Sequence, residues 1–173
     1  DPQRLRTTIT EHPRAAANIV AWSKVSCTDF WDDLRFPEGV AYEDQIVAQE
    51  LYTRARGIDV VPDVVVEWRE RADGSSITQR TALLPVLIDY LDALQGGLDV
   101  LERAGRIAAV QERVRLILTM DLPPLVRIAE GHPDAAYRRR LGAFVRRLWT
   151  HPGSARDAVD GTAAARFDAV RLW

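Results

Sequence analysis

Residues 84–101 read LPVLIDYLDALQGGLDVL, and their apolar side chains recur at spacings of three and four. This spacing places the leucines on one face of an α-helix, which predicts a long amphipathic helix buried along one side. Gly96 and Gly97 fall inside it, where glycine weakens a helix and allows a kink, and Gly105 is expected to end it. This stretch predicts that the chain is mainly helical.

Four further helices are predicted after this one. The apolar spacing in residues 107–117 gives a second amphipathic helix, and residues 120–130 give a short third one that two prolines interrupt. Residues 133–149 and 155–173 give a fourth and a fifth. Because the connections are short, neighbouring helices are expected to be antiparallel, so residues 79–173 are predicted to form an all-α bundle domain.

Residues 1–78 differ in composition and pattern from the helical part: they contain short apolar runs, turn signals and most of the tryptophans. Good helix formers from Tyr42 to Arg56 precede Gly57, a residue typical of the position just after a helix. The β-branched runs Val60–Val61 and Val64–Val66 predict strands. The fold class is therefore predicted as a small α/β part with a few strands, followed by the helical bundle.

Composition and charge exclude several classes of protein. The chain has 173 residues, a net charge of -2 and a pI near 6.0, whereas a nucleic-acid-binding protein is usually basic. Cys27 is the only cysteine, so no intramolecular disulfide forms. No apolar run approaches the roughly 20 residues that span a bilayer. We expect a cytoplasmic protein.

Residues 20–78 contain short motifs in a recognisable order. They resemble the second half of the catalytic domain of family-2 glycosyltransferases, in which an aromatic-Trp pair, an RFPEG turn, an acidic pair that opens a helix, and an arginine-rich strand with a Gly-Ser loop follow one another. The motifs that carry the resemblance are Phe30-Trp31, Arg35-Phe36-Pro37-Glu38-Gly39, Glu43-Asp44, and Glu67-Trp68-Arg69-Glu70-Arg71 with Gly74-Ser75-Ser76-Ile77-Thr78.

The resemblance implies a GT-A fold, a nucleotide-sugar donor, and a sugar or polyol-phosphate acceptor in a bacterial surface polysaccharide or teichoic-acid-like polymer. Family members hold a divalent Mg or Mn ion through an Asp-x-Asp motif in the first half of the domain, and no Asp-x-Asp occurs here. The resemblance therefore places the donor-binding half before Asp1. We expect this chain to bind no metal and to be inactive by itself.

The acidic pair gives the candidate catalytic residues. Inverting sugar transfer needs a base that removes the proton of the acceptor hydroxyl. By its match to the second acid of the family pair, Asp44 is implied to be that base, with Glu43 orienting the acceptor or the loop. Acidic residues are also common in the first turn of a helix because they interact favourably with its dipole, so spacing alone leaves a structural role open.

Substrate-binding residues are predicted on both sides of this pair. Trp22-Ser23-Lys24 stands where many family members have Trp-Asn-Lys, and a tryptophan there is suited either to stacking on a sugar or to the core, where we expect Trp31. Arg69 and Arg71 would share one face of a strand before the Ser75-Ser76 loop, an arrangement that suits a diphosphate or equally a solvated strand edge. The predicted substrate-binding residues are Trp22, Lys24, Arg69, Arg71, Ser75 and Ser76.

Two alternatives concern the helical part. The arginine-rich helix over residues 137–149 is typical of a helix lying on an anionic membrane surface, such as the inner face of the cell membrane, and also of a solvated helix face, which we favour. Residues 79–173 are also consistent with a non-enzymatic interaction or oligomerisation module. Under that interpretation, the first 78 residues are only a scaffold.

Overall fold

The structure is a computed structural model that describes residues 2–67, 80–154 and 156–173, and it is mainly helical. No helix in these three ranges is long and apolar enough to cross a membrane. The helices are α1 Asp44–Arg54, α2 Leu84–Arg103, α3 Ile107–Leu116, α4 Leu122–Glu130, α5 Ala135–Trp149 and α6 Gly161–Val170.

Helix α2 is the helix predicted from the leucine spacing. It begins with a proline in its first turn, where the missing amide hydrogen is not needed, and it stops before Gly105, whose φ is 65°. The predicted apolar face is almost completely buried, and it is formed by Leu87, Leu91, Leu94, Leu98 and Leu101.

Helix α1 packs directly on α2. Gly96 and Gly97 lie at this contact: a Cβ atom added to Gly97 would lie 3.5 Å from the main-chain oxygen of Gln45, and one added to Gly96 would lie 2.5 Å from the side chain of Ile46. The two glycines therefore let α1 approach α2 more closely than larger residues would. Their place inside an otherwise leucine-rich helix has a packing reason.

Helices α3 and α4 form one rod, because a π-helical turn at Ile117–Asp121 joins them without a break. The prediction that two consecutive prolines, at positions 123 and 124, interrupt the third helix is wrong. They lie in the first turn of α4, where proline is tolerated. A π-turn changes the direction of the side chains that follow it, and Asp121 lies at its end.

The last two helices begin at aspartate caps. The carboxylate of Asp134 accepts a hydrogen bond from the amide of Ala136 at 2.7 Å, and that of Asp160 accepts one from Thr162 at 2.9 Å. The final helix therefore starts at Gly161, later than predicted, after a 3-10 turn at Arg156–Ala158.

The strand content is smaller than predicted. β1, Arg4–Thr7, pairs antiparallel with β2, Ile58–Val60. The predicted strand at Val64–Val66 is wrong, because these residues are not in a strand and Val64 is 85% exposed. A β-branched run forms a strand only where a partner strand and a covering layer are available, and the described part of the chain pairs nothing with these valines.

The hydrophobic core includes residues from both predicted domains. Ile9, Ala16 and Tyr52 are buried in one cluster with the leucines of α2 and the buried side chains of the later helices. The predicted boundary between residues 78 and 79 lies outside the described residues, so the division into two domains stays a prediction.

Glycine 142 in α5 offers a test of this packing. An alanine Cβ there would lie 2.7 Å from the main-chain oxygen of Val170 at the end of α6. Glycine to alanine in a helix interior usually stabilises by up to about 1 kcal/mol, but overpacking typically costs about 1–3 kcal/mol. We expect Gly142→Ala to lower the free energy of unfolding measured by urea denaturation.

The matched control is Gly96→Ala, because the atom it would meet is the end of the flexible Ile46 side chain. It is expected to be less destabilising than Gly142→Ala. A Gly142→Ala protein as stable as the original would show that the contact between α5 and α6 is looser than described.

Candidate functional site

Asp44 is the first residue of α1, as the sequence predicted. Its side chain is half-buried and lines a cavity of about 230 Å³. Lys24 and Ser26 line the same cavity, and the remaining wall is apolar, formed by residues such as Val47 and Leu51 on α1. The carboxylate is therefore placed in a concave, largely apolar site and not in bulk water.

A 3-10 turn at Ala21–Ser23 lies against Asp44. The backbone amide of Ala21 interacts with the Asp44 carboxylate and lowers the pKa of that group. Two contacts of α1 fix the chain just before this turn: Gln49 Nε2 donates to the main-chain oxygen of Ala16 at 2.9 Å in a buried hydrogen bond, and the Tyr52 hydroxyl donates to that of Asn18 at 2.8 Å in a part-buried one. The turn and the first residue of α1 thus form one local unit.

The surroundings of Asp44 disfavour its charged form. Desolvation raises the pKa of Asp44 above its usual 3.8, and the negative charge of Glu43 raises it further. The backbone amide of Ala21 and the positive charge of Lys24 act in the opposite direction but do not cancel the effect of burial. A carboxylate with a raised pKa is a stronger base than an ordinary aspartate.

Lys24 is the only lysine of the chain. Its ammonium group donates to the main-chain oxygen of Val20 at 2.8 Å and to Asn18 Oδ1 at 3.1 Å, and it lies 5.5 Å from the centroid of the Tyr52 ring. Desolvation lowers the pKa of Lys24 from 10.5 to about 8, although the Asp44 charge raises it. Lys24 is therefore cationic at neutral pH but close to its titration range.

Two aromatic rings form one wall of the cavity. Trp31 and Phe36 stack on each other with their centroids 5.4 Å apart, and Trp31 Nε1 donates to Ser26 Oγ at 3.0 Å. The expectation that Trp31 belongs to the core is wrong, because its side chain is only half-buried and faces the cavity. An aromatic surface of this kind suits the apolar face of a sugar ring.

The structure brings only part of the predicted site together. Asp44 and Lys24 share the cavity, whereas Trp22 is 53% exposed and does not line it. Glu43 is exposed at the N-cap of α1, and its side chain accepts no hydrogen bond from the first turn of the helix. The effect of Glu43 on the site is that its negative charge raises the pKa of Asp44. The other predicted substrate-binding residues lie outside the described residues: Arg69, Arg71, Ser75 and Ser76.

The sequence reasoning missed a buried polar network beside this site. Arg113 of α3 is 4% exposed, and it donates to Gln45 Oε1 at 2.9 Å. It also lies 3.3 Å from Asp121 Oδ2, an ion pair whose angle is not that of a hydrogen bond. The Tyr90 hydroxyl donates to Asp121 Oδ1 at 2.9 Å. A signal was present, since Arg113 lies on the apolar stripe of α3, between Val110 and Ile117.

The arginines of α5 lie over the surface of the bundle. Arg140 pairs with Asp92 of α2, Arg146 donates to the main-chain oxygen of Arg171, and Arg147 lies over the ring of Phe144. These contacts are typical of a solvated helix face whose long side chains cover apolar surface. Contact of this helix with a membrane stays a prediction.

Within the described ranges, no group of three or more His, Cys, Asp or Glu side chains could hold a metal ion. Comparisons with models of protein families, with curated proteins and with solved structures find no significant match to the chain.

The charge interaction between Asp44 and Lys24 can be measured, because the chain has a single lysine. We expect the rate of amine acylation at Lys24, followed by mass spectrometry, to reach half its maximum near pH 8. Asp44→Asn removes a charge that raises the pKa of Lys24, so it should move this midpoint to lower pH. Glu43→Gln is the matched control, expected to have a smaller effect.

The same shift predicts how stability depends on pH. The folded protein loses the Lys24 proton near pH 8, whereas the unfolded chain keeps it to about 10.5. The unfolded state therefore binds more protons in this interval, and the Lys24 contribution to the free energy of unfolding rises with pH. Lys24→Met should remove that rise in urea denaturation series. An unchanged slope would mean that Lys24 is not desolvated.

Proposed function

We propose that this chain is the acceptor-side part of an inverting glycosyltransferase, in which Asp44 is the catalytic base. The donor would be a nucleotide sugar and the acceptor a hydroxyl group of a sugar or polyol phosphate, in a surface polysaccharide or teichoic-acid-like polymer. The observation that carries the proposal is the place of Asp44: it opens α1, it lines a concave site, and it shares that site with Lys24.

In the proposed reaction, the acceptor oxygen forms a bond to the anomeric carbon of the donor sugar. The bond from that carbon to the nucleoside diphosphate breaks, and the diphosphate leaves with the bonding electron pair from the opposite face. The hydroxyl proton passes to Asp44 as the new bond forms. Asp44 therefore has to be ionised, close to the hydroxyl group, and shielded enough to be a useful base.

The environment of Asp44 supports this role. The apolar cavity raises the pKa of the carboxyl group, which increases its basicity. The opening turn of a helix favours its ionised form through the amide dipoles, by about 0.3–1 kcal/mol. The Ala21 amide and the charge of Lys24 also favour the ionised form, because both lower the pKa of Asp44. The proposed base is therefore a carboxyl group whose basicity is raised by burial and whose charge has partners nearby.

Lys24 and the aromatic wall suit the binding of an acceptor. The positive charge of Lys24 attracts a hydroxyl or phosphate oxygen to the cavity, and it lowers the pKa of Asp44. The stacked Trp31 and Phe36 rings offer an apolar surface to a sugar ring. No step is assigned to a divalent ion, because the donor set of the described residues does not suit one.

The direct test is Asp44→Asn in the complete enzyme. Loss of a positioned base typically lowers the rate by about 10²–10⁴-fold, so we expect turnover to fall by this much while donor affinity changes little. Release of nucleoside diphosphate in the presence of acceptor measures kcat, and donor titration measures affinity. The exposed Asp63→Asn controls for the loss of one negative charge. A kcat for Asp44→Asn comparable with that of the original enzyme rules out Asp44 as the base.

A second expectation concerns the chain of 173 residues alone. Because the proposal leaves donor binding to a preceding segment, residues 1–173 should transfer no measurable sugar from any nucleotide-sugar donor. The assay is product detection by mass spectrometry after long incubation with donor and acceptor. Robust transfer by this chain would show that residues 1–173 themselves bind the donor.

The alternative, a non-enzymatic interaction or oligomerisation module in residues 79–173, has less support. The exposed apolar side chains of the described bundle, such as Leu83, Ile107 and Met120, are separated along the chain. Single exposed apolar residues are normal on a protein surface and do not by themselves indicate an interface. A stable dimer formed by these residues would favour the alternative.

A further inference from the structure

Residues 41–45, which we call the α1 entrance, carry Asp44 and are held by the helical bundle at three points. The amide of Ala41 donates to Asp89 Oδ2 on α2 at 3.0 Å. The Tyr42 ring stacks on Tyr90 of α2 with a centroid distance of 4.1 Å. Gln45 accepts a hydrogen bond from Arg113 of α3. The contacts lie on both sides of Asp44 in the chain.

The backbone conformation of Tyr42 indicates that tertiary contacts impose this arrangement on the chain. Its φ is 62°, in the left-handed region that a bulky residue rarely adopts. Such a conformation persists only when the surrounding structure determines it more strongly than the local chain does. The stacking on Tyr90 is the contact that keeps Tyr42 in place, and the following residues then turn directly into α1.

Arg113 connects the separate contacts. It lies between Gln45 of the α1 entrance and Asp121, which in turn accepts the hydrogen bond of the same Tyr90 that stacks on Tyr42. Burial and the charge of Asp121 together raise the pKa of Tyr42 to about 12, so this ring stays neutral in the stack. Asp121 reaches Arg113 from the end of the π-turn, and such turns are frequent at functional sites.

We infer that Arg113 is a positioning residue, through which the helical bundle fixes the α1 entrance and so aims Asp44 at its cavity. A buried charge of this kind contributes conformational specificity more readily than net stability, because its desolvation offsets the attraction of its partners. The consequence for catalysis rests on the proposed function. The effect of Arg113 on the position of Asp44 is independent of the proposed function, and it can be measured separately.

The Ala21 amide reports the position of Asp44, because this amide interacts with the Asp44 carboxylate. In nuclear magnetic resonance spectra of the 173-residue chain, its amide proton shift should follow the titration of Asp44, and Asp44→Asn should abolish this dependence. We expect Arg113→Met to abolish or strongly reduce it as well. Amide hydrogen exchange should accelerate in the α1 entrance but not in α5.

Arg115→Met is the matched control. Arg115 lies two residues further along the same helix, is part-buried, and pairs with Glu112 at 2.7 Å, a residue that does not belong to the network of Arg113. It should leave both the Ala21 titration and the exchange at the α1 entrance unchanged. Arg113→Lys keeps the charge and should partly restore what Arg113→Met loses.

If Arg113→Met does not fold, Arg113→Met combined with Asp121→Asn carries the test, because it leaves no unpaired buried charge. An Ala21 amide that still follows Asp44, with unchanged exchange at the α1 entrance, overturns the inference in either variant.

In the complete enzyme, Arg113→Met should lower kcat by about 10–100-fold with an unchanged KM for the donor, because small displacements of a catalytic group are costly. If Arg113→Met keeps full kcat while Asp44→Asn abolishes it, the inference fails and the proposed function stands. If Asp44→Asn stays active while the Ala21 signal responds to Arg113→Met, the proposed function fails and the positioning of Asp44 stands.

Discussion

The contact between α1 and α2 is the constraint on which the rest of the structure depends. Gly96 and Gly97 let the two helices approach closely, and the buried face of α1 meets them with Gln45 and Gln49. Buried amide side chains require partners: Gln45 Oε1 accepts from Arg113 and Gln49 Nε2 donates to the main chain of Ala16, whereas Gln49 Oε1 is buried without a partner in the described part of the chain. The two hydrogen bonds restrict the rotation of α1 more than an apolar face would.

This constraint gives the helical bundle a role in the site. The candidate base, the turn that contacts it and the aromatic wall all come from the first 55 residues, yet the α1 entrance is held by side chains of α2 and α3. Removing the later helices would therefore leave the motifs of the sequence intact but not their geometry. In this view the bundle and the candidate site form one structural unit.

Burial shifts the pKa values of the two ionisable groups of the cavity in opposite directions. Desolvation raises the pKa of Asp44 and lowers that of Lys24, whereas the opposite charge of each group acts against this shift in the other. Under the proposed function, a cation and a base line the cavity that receives the acceptor hydroxyl group. The same pair placed on an open surface would titrate normally and would have little chemical use.

The sequence by itself determined what is local. The leucine spacing of α2, the glycine that ends it and the acidic residue that opens α1 were predictable, because helix periodicity and helix ends depend on neighbouring residues. Tertiary structure decided the rest: Val64–Val66 form no strand, Trp31 lines a cavity, and Arg113 reaches Gln45 across 68 positions. Such contacts depend on which surfaces meet after the helices pack, and no local pattern encodes that.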